Sequence, residues 1–463
     1  MKKSTLLFIF EHLLFITLIV GLYTHIGTLN STAKKNESSK KTLSRQVASL
    51  KKQKKDVKLL KYFLQIEKET EAIRGLHAQE LIDYNVIPKA ELKAFLERKF
   101  NQQYPEDFFI DMVNALKTIG LIDENVNLKK VLLDLFQEQI AAFYDYHDRK
   151  LYYVANSFFT PNIKKMFISH EIVHALQDQK YNLSKMGIDN RTNDDHVLAL
   201  SAILEGDAMY CMRKYYAGHI NIGLVLDLFS TAFSVFKQAE FDKAPSYVKT
   251  SMLFPYTKGL DFITAFYHED SEITIDEVFR NPPQSTEQIL HIEKYIAGEI
   301  PVYPLLPDLS DALTPHKLRI ITNNVLGELG VRELLQQHIS SPHAIEAAAG
   351  WGSDQYIVFE NESTNERGFM IFSLWDSPKD TMEFYTAYLQ WLKQKHALSD
   401  DAIYETINDA YITITPPDTT SPKKTVYIIH NDASCLIIFS QKRMVPILKN
   451  LLKSTPFTQS EHN

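Results

Sequence analysis

Two histidines and a glutamate in one short segment have the types and spacing of a hydrolytic metal site. The segment ISHEIVHALQDQ places His170 and His174 four residues apart, with Glu171 directly after the first histidine. On an α-helix, positions i and i+4 share a face, so both imidazoles can be directed at one zinc ion. Glu171 is rotated by about 100° from His170. We therefore expect Glu171 to act as a general base on a water molecule at the metal.

A catalytic zinc ion needs a third protein ligand and an open position for water. The later run ALSAILEGDAMY contains Glu205 among apolar residues. A carboxylate is costly to bury unless it is paired or bound to a metal, so Glu205 is predicted as the third ligand. Asp207 and Asp178 are candidates to accept a hydrogen bond from a ligand imidazole. The alternative for these two aspartates is solvent exposure or a helix cap.

The pairing of HEIVHALQDQ with EGDA resembles the gluzincins, thermolysin-like zinc metallopeptidases in which a glutamate on a later helix completes the HExxH site. More closely, the chain resembles a poorly characterised group of prokaryotic metallopeptidase-like proteins. The resemblance rests on FYDYHDRKLYY, HALQDQ, EGDA, STEQILHIEKY and AAAGWGSDQY, which occur in this order. It covers most of the chain after the N-terminal region and implies no particular substrate. It implies one zinc ion per chain, with these ligands and this base: His170, His174, Glu205 and Glu171.

Peptide hydrolysis forms a tetrahedral oxyanion, and a histidine or tyrosine that donates to it commonly assists the metal. His291, within STEQILHIEKY, is the candidate for this catalytic role. Tyr152 and Tyr153 are further candidates, and the alternative for them is that they are ordinary half-buried strand aromatics. Ile292 stands where the resembled group is expected to have proline, which leaves the placement of this segment open. The strand predicted before the zinc helix also offers an edge to which an extended peptide can add.

The elements that must position these residues are mostly helices. Helical periodicity extends over about 57–139 and returns over about 162–267. Between them, FYDYHDRKLYYVAN changes to turn residues and an alternating run, which predicts a short strand or hairpin before the zinc helix. Ser285 is predicted to cap a helix that contains Glu287. The segment HKLRIITNNVLGELGVRELLQQH is predicted to be helical.

The last part of the chain has a different pattern. Short β-branched runs alternate there, and helical patterns interrupt them at Lys379–His396 and at about Arg443–Lys453. The predicted fold class is therefore α+β: a mainly helical metallopeptidase region over 61–340, followed by a small α+β domain with an antiparallel sheet over 341–463.

The N-terminal region predicts export. Lys2 and Lys3 precede an apolar run from Leu6 to Tyr23, which is typical of a signal peptide or membrane anchor over residues 1–29. A basic tether follows over residues 30–60. We expect a location in the cell envelope, with attachment to the membrane if the N-terminal segment is not cleaved.

Composition excludes some classes of protein. The net charge of −7 argues against a nucleic-acid partner, which would require a basic surface. Only two cysteines, Cys211 and Cys435, are present, so the fold does not rest on a disulfide framework.

The sequence predicts zinc-dependent hydrolysis of a peptide or protein substrate, with Glu171 activating a zinc-bound water. One alternative is a catalytically silent envelope binding or scaffold protein that retains the metal site. Another is a zinc amidase that acts on a non-peptide substrate. The complete HExxH and glutamate set argues against a structural zinc, which is usually closed by four protein ligands.

Overall fold

The computed structural model describes residues 57–136, 142–155, 161–215, 244–268, 271–304, 309–399, 403–405, 409–414, 424–441, 444–445 and 448. The predicted signal or anchor segment and most of the basic tether lie outside these residues, as does most of the helix predicted at 443–453. Within the described ranges, no helix is both long enough and apolar enough to cross a membrane.

Helices dominate the first part of the fold, and a three-stranded sheet is packed among them. Strand β1 pairs in parallel with β3, and β3 pairs antiparallel with β2, so the order is β1-β3-β2. The β2–β3 hairpin confirms the prediction from FYDYHDRKLYYVAN. In chain order, the elements are α1 (57–74), β1 (Asp83–Pro88), α2 (Lys89–Gln103), α3 (Glu106–Ile119), α4 (Leu128–Phe136), β2 (Ala142–Asp145), β3 (Lys150–Ala155), α5 (Pro161–Tyr181), α6 (Asp194–Tyr215) and α7 (Ser246–Phe266).

Strand β1 lies inside the region that was predicted as helical throughout, so that prediction is wrong for DYNVIP. The strand register runs from Asp83 opposite Lys150 to Pro88 opposite Ala155. Its partner is more than sixty residues away in the sequence, and a local helical period does not reveal such pairing.

Short helices connect the first part of the fold to a second, larger sheet. Ser285 caps one of them by accepting from the backbone N–H of Gln288 at 3.3 Å, and Glu287 lies within that helix, as predicted. The remaining elements are α8 (Ile275–Arg280), α9 (Thr286–Leu290), α10 (Ile292–Ile296), α11 (Ser310–Leu313), β4 (Leu318–Asn324), α12 (Gly327–Gln336), α13 (Ser341–Ala348), β5 (Trp351–Asn361), β6 (Arg367–Trp375), α14 (Pro378–His396), β7 (Ile403–Glu405), β8 (Asp409–Ile414), β9 (Lys424–His430) and β10 (Ser434–Gln441).

The second sheet has the order β4-β5-β6-β10-β9-β8-β7, and its described strand pairs are antiparallel. The chain is thus a mixed α+β protein, as predicted. Strand β4 corrects the helix predicted from residue 316 onward, because Leu318 to Asn324 pair with β5. Only the second half of that segment is helical, as α12. The sheet therefore begins ahead of the predicted domain boundary at 341.

Helices α6 and α7 approach each other closely through two glycines. A Cβ atom on Gly206 would lie 2.2 Å from the carbonyl oxygen of Gly259, and one on Gly259 would lie 2.0 Å from that of Ala202. Both contacts are with backbone, which cannot move aside as a side-chain tip can. Gly206, within EGDA, is therefore required for the packing of the helix that carries Glu205.

We expect Gly206→Ala to lower the free energy of unfolding by about 2 kcal/mol, because the added methyl group forces the two helices apart. The measurement is denaturant unfolding. Gly330→Ala is the matched control, since its Cβ would meet only the Leu326 side chain, at 3.2 Å. A Gly206→Ala protein as stable as the Gly330→Ala protein would contradict this account of the packing.

Candidate metal centre

Helix α5, which carries the HExxH segment, is buried on every side in its central part. Each residue from 168 to 178 is buried. Helix α6 packs against one side of α5, and strands β2 and β3 pack against another. Apolar residues are therefore interspersed with buried polar ones along this part of the helix, and the polar residues need partners inside the protein.

The structure brings the three predicted ligands together. His170 Nε2 lies 3.0 Å from Glu205 Oε2, His174 Nε2 lies 3.4 Å from the same oxygen, and the two Nε2 atoms are 3.1 Å apart. Zinc bonds of about 2.0–2.1 Å at tetrahedral angles place ligand atoms about 3.3 Å apart. The donor set and its spacing therefore fit a zinc ion.

The charges of these residues depend on one another. Burial lowers the pKa of His170 to about 4, although its hydrogen bond to Glu205 opposes this. Burial also lowers the pKa of His174, but the Glu205 carboxylate and Gln177 raise it by more, so the result lies above the ordinary value. Burial raises the pKa of Glu205, yet the two imidazoles lower it to about 2. The cluster therefore stabilises a positive charge beside Glu205, either a proton or a metal cation.

Gln177 fixes the tautomer of His174. The Gln177 side-chain amide donates to the carbonyl oxygen of Leu204 at 3.0 Å and to Asp207 Oδ2 at 2.8 Å. Its Oε1 atom is consequently the atom that faces His174 Nδ1, at 2.9 Å. Because Oε1 can only accept, the proton lies on Nδ1, and Nε2 presents its lone pair to the cluster.

Asp207 is linked to the ligand His174 through the side chain of Gln177. It accepts from Gln177, from Arg74 Nε at 2.7 Å and from the Tyr267 hydroxyl at 2.6 Å. The predicted contact with a ligand imidazole is therefore indirect and runs through Gln177. Gln177 was not predicted. The signal that could have identified it is its spacing of three residues from His174 on the same helix, which places the two side chains side by side.

Glu171 is held by strand β2. Its Oε2 atom accepts the backbone N–H of Tyr144 at 2.8 Å, and its Oε1 atom is buried without a hydrogen-bond partner among the described residues. Burial raises the pKa of Glu171 well above its ordinary value, and the nearby Glu205 carboxylate adds to this.

Asp178 supports the same strand and does not contact an imidazole. The Tyr144 hydroxyl donates to Asp178 Oδ2 at 2.8 Å, and the backbone N–H of Leu183 donates to Oδ1 at 3.1 Å. Asp178 therefore holds Tyr144, and with it the hydrogen bond to Glu171, against helix α5.

The predicted assisting residues are not brought to the three ligands by the contacts described. His291 Nε2 lies 3.1 Å from Glu328 and 3.4 Å from Arg332. The Tyr152 hydroxyl donates to Asp148 at 3.2 Å, and the Tyr153 ring meets Phe63 edge-on. An aromatic residue that the sequence did not single out does lie beside the cluster.

That aromatic residue is Tyr256 of α7. Its ring centroid is 6.4 Å from that of His170, with the two planes nearly parallel. It had no sequence signal, because it lies far along the chain in an apolar helix.

A second group of acids, Glu287, Glu299 and Asp376, has ligand-like spacing. Lys294 Nζ lies among them at 2.7, 2.8 and 2.5 Å respectively. The lysine already neutralises these carboxylates, so the group is a salt-bridge cluster and not a metal site.

Comparison with known proteins finds one match, to the part of the chain that forms most of the second sheet and its helices. The family described as a domain of unknown function (DUF8575) matches residues 317–431, which extend from β4 to β9. No curated protein matches the chain, and no solved structure matches it. The match leaves α5 and α6 outside, so the candidate metal centre is characterised by its geometry alone.

We expect Asp207→Asn to lower the free energy of unfolding by about 3 kcal/mol, because it removes the buried carboxylate that lies 2.7 Å from the Arg74 guanidinium. Asp276→Asn is the control, since Asp276 is partly exposed and lies 3.7 Å from Arg74. That change should cost less than about 1 kcal/mol. Equal effects in denaturant unfolding would contradict the central place of Asp207.

Proposed function

We propose that the protein is a zinc-dependent peptidase. The observation that carries the proposal is the convergence of His170, His174 and Glu205 around one point, with the buried Glu171 next to a ligand in the same helix. Two imidazoles and one carboxylate leave a fourth position free, which distinguishes catalytic zinc sites from structural ones.

His170, His174 and Glu205 would hold the zinc ion through Nε2, Nε2 and Oε2. When bound, zinc supplies a Lewis acid that polarises a carbonyl and lowers the pKa of water. Gln177 keeps His174 in the ligand tautomer, and the Glu205 carboxylate neutralises part of the ion's charge.

Glu171 is the proposed general base. Its Oε1 atom is available to accept the proton of the attacking water, because only Oε2 is engaged, by Tyr144. Its raised pKa suits a group that takes up a proton and then delivers it to the leaving amine. A buried carboxylate oxygen without a partner is costly, and a silent scaffold protein would have no use for it.

Strand β2 supports a peptide as the substrate. Among the strands that the structure describes, it lies at the edge of its sheet, in the order β1-β3-β2, and it packs against α5. An extended peptide can add to such an edge through main-chain hydrogen bonds. A non-peptide amide would not use this edge, so we favour the peptidase over the zinc amidase. The N-terminal sequence pattern supports an exported protein of the cell envelope, and peptides or proteins of that compartment would be its substrates.

Glu171→Gln is expected to retain one zinc ion per chain and to lower the rate of hydrolysis by at least about 100-fold, because the amide cannot accept the proton. The measurement compares new N-termini in envelope proteins from cells that express wild type or Glu171→Gln at matched levels. Zinc content is measured on the same preparations. Cleavage events that persist in the Glu171→Gln cells would rule out Glu171 as the base.

Gln177→Ala is expected to weaken zinc binding by about 10- to 100-fold, because His174 loses the acceptor that fixes its tautomer. Gln179→Ala is the matched control on the same helix, since Gln179 contacts the backbone of Gln79 and Glu80 instead. Competition with a chelator gives both affinities. If the two variants bound zinc equally well, Gln177 would have no part in positioning His174.

A further inference from the structure

Helix α1 has a stripe of apolar side chains on its solvent side. Val57, Leu60 and Leu64 are 54%, 47% and 41% exposed. At about 100° per residue, these three positions fall within about 60° of the helix circumference, so they form one continuous stripe. Phe63 and Ile66, on the inward side of the helix, are buried. The first part of α1 is therefore apolar on two sides, and the protein core uses only the inward one.

Strand β1 extends this apolar surface beside α1. The Tyr84 ring of β1 stacks on Phe63 with centroids 4.7 Å apart. Val86 lies two residues further along and therefore on the same face of the strand, and it is 46% exposed. A single exposed apolar residue is ordinary, whereas a group of neighbouring ones is typical of a surface that contacts a membrane or another protein.

Lysines border the stripe on α1. Lys61 and Lys68 lie next to it on the helix circumference, Lys58 lies further round, and all three are exposed. A lysine side chain can lay its apolar stem along such a surface while its ammonium group stays in a polar layer. This outer face therefore combines apolar side chains with positive charge.

Acidic residues do not neutralise the first turns of α1. Residues 57–66 contain none. The next two acidic residues have partners within the protein. Glu67 is buried and accepts from the Tyr84 hydroxyl at 2.5 Å, and Glu69 accepts from the Gln65 amide at 3.0 Å. The lysines beside the stripe thus remain available to a partner of negative charge.

The sequence immediately before α1 points to the same kind of partner. Residues 30–56 contain nine basic and two acidic residues, a net charge of +7, although the whole chain has a net charge of −7. The rest of the chain therefore has a net charge of −14. A local excess of one sign indicates a partner of the opposite sign. A basic segment joined to an exposed apolar helix face is attracted to anionic lipid bilayers, because the lysines meet the headgroups and the apolar side chains enter the layer below them.

We propose that the outer face of α1, defined by Val57, Leu60 and Leu64, lies on a bilayer that contains anionic phospholipid. The basic residues of 30–56 would then bind the headgroups and hold the folded part against the membrane, whereas a spacer would keep it away. This surface does not depend on the metal centre.

The position of α1 gives this surface a consequence for the rest of the protein. The hydroxyl oxygens of Thr70 in α1 and Ser169 in α5 are 2.8 Å apart, so the two helices pack directly on each other. A bilayer on the outer face of α1 would therefore lie one helix away from the helix that carries the HExxH segment.

Tryptophan fluorescence of the full-length protein tests the proposal, with vesicles of phosphatidylglycerol and phosphatidylcholine whose acyl chains carry bromine. Leu60→Trp places a fluorophore on the outer face of α1. Met382→Trp is the matched control, since Met382 is an exposed apolar residue of α14, and the three natural tryptophans are buried. The apolar face of an interfacial helix enters the bilayer by about 5–10 Å, so bromine should quench the added fluorescence of Leu60→Trp by at least about half and that of Met382→Trp by less than about a tenth.

The role of charge is tested in the Leu60→Trp protein. Replacing both Lys58 and Lys61 by glutamine should lower the quenching at least about two-fold, and vesicles of phosphatidylcholine alone should have the same effect. Lys379→Gln, at an exposed position of α14, should leave the quenching unchanged. If Leu60→Trp does not fold, Leu64→Trp provides the same measurement.

Three results would overturn the proposal. The first is equal quenching of Leu60→Trp and Met382→Trp. The second is equal quenching in vesicles with and without phosphatidylglycerol. The third is emission from Leu60→Trp that is blue-shifted before vesicles are added and unchanged by them, which would show that the chain itself or a second copy covers this face.

Discussion

The fold depends on how a buried carboxylate is kept charged in the interior. Glu205 lies in the middle of α6 without exposure to solvent, and such a group is stable only if positive charge lies beside it. His170 and His174 of α5 provide that environment at 3.0 and 3.4 Å. Helices α5 and α6 must therefore keep a fixed position relative to each other. The elements around them maintain that position.

Hydrogen bonds carry this constraint outward from the cluster. The His174 imidazole donates to Gln177, and the Gln177 amide donates to Asp207. Asp207 also accepts from Arg74 and from Tyr267. Arg74 is the last residue of helix α1, and Tyr267 follows α7. The environment of one imidazole is thus linked to helices that are distant in sequence.

The second sheet is attached to the N-terminal end of α6, the same helix that carries Glu205. Asp195 accepts from the Thr286 backbone N–H at 3.2 Å and from its hydroxyl at 2.5 Å, and Asn324 Oδ1 accepts from the N–H of Asp194 at 2.8 Å. Gly327 lies so close to Asp195 that a Cβ would be 1.7 Å from its carboxylate. The Thr286 hydroxyl also accepts the backbone N–H of Leu329 in α12 at 3.2 Å, so the segment STEQ contacts both α6 and the helix that follows β4.

The sequence predicted the residues whose spacing is local. The i and i+4 histidines, the buried glutamate in an apolar helix and the β2–β3 hairpin each follow from a short-range pattern, and the structure has all three features. Strands β1 and β4 were wrongly predicted as helix. They form strands because they pair with residues that are distant in sequence, and local hydrophobic periodicity does not reveal such pairing. Gln177 was missed since a glutamine on a helix is ordinarily a surface residue, and its role depends on Asp207 of another helix.

X-ray absorption at the zinc edge shows which atoms bind the metal, and it is measured on full-length protein purified without added metal and then supplied with one equivalent of zinc. We expect one zinc ion per chain with two imidazole ligands, oxygen as the other donors, and bonds of about 2.0–2.1 Å. His174→Ala should remove one imidazole from the spectrum. Failure to bind zinc stoichiometrically, or ligation by sulfur from the buried Cys211, would contradict the assignment of His170, His174 and Glu205 as the metal ligands.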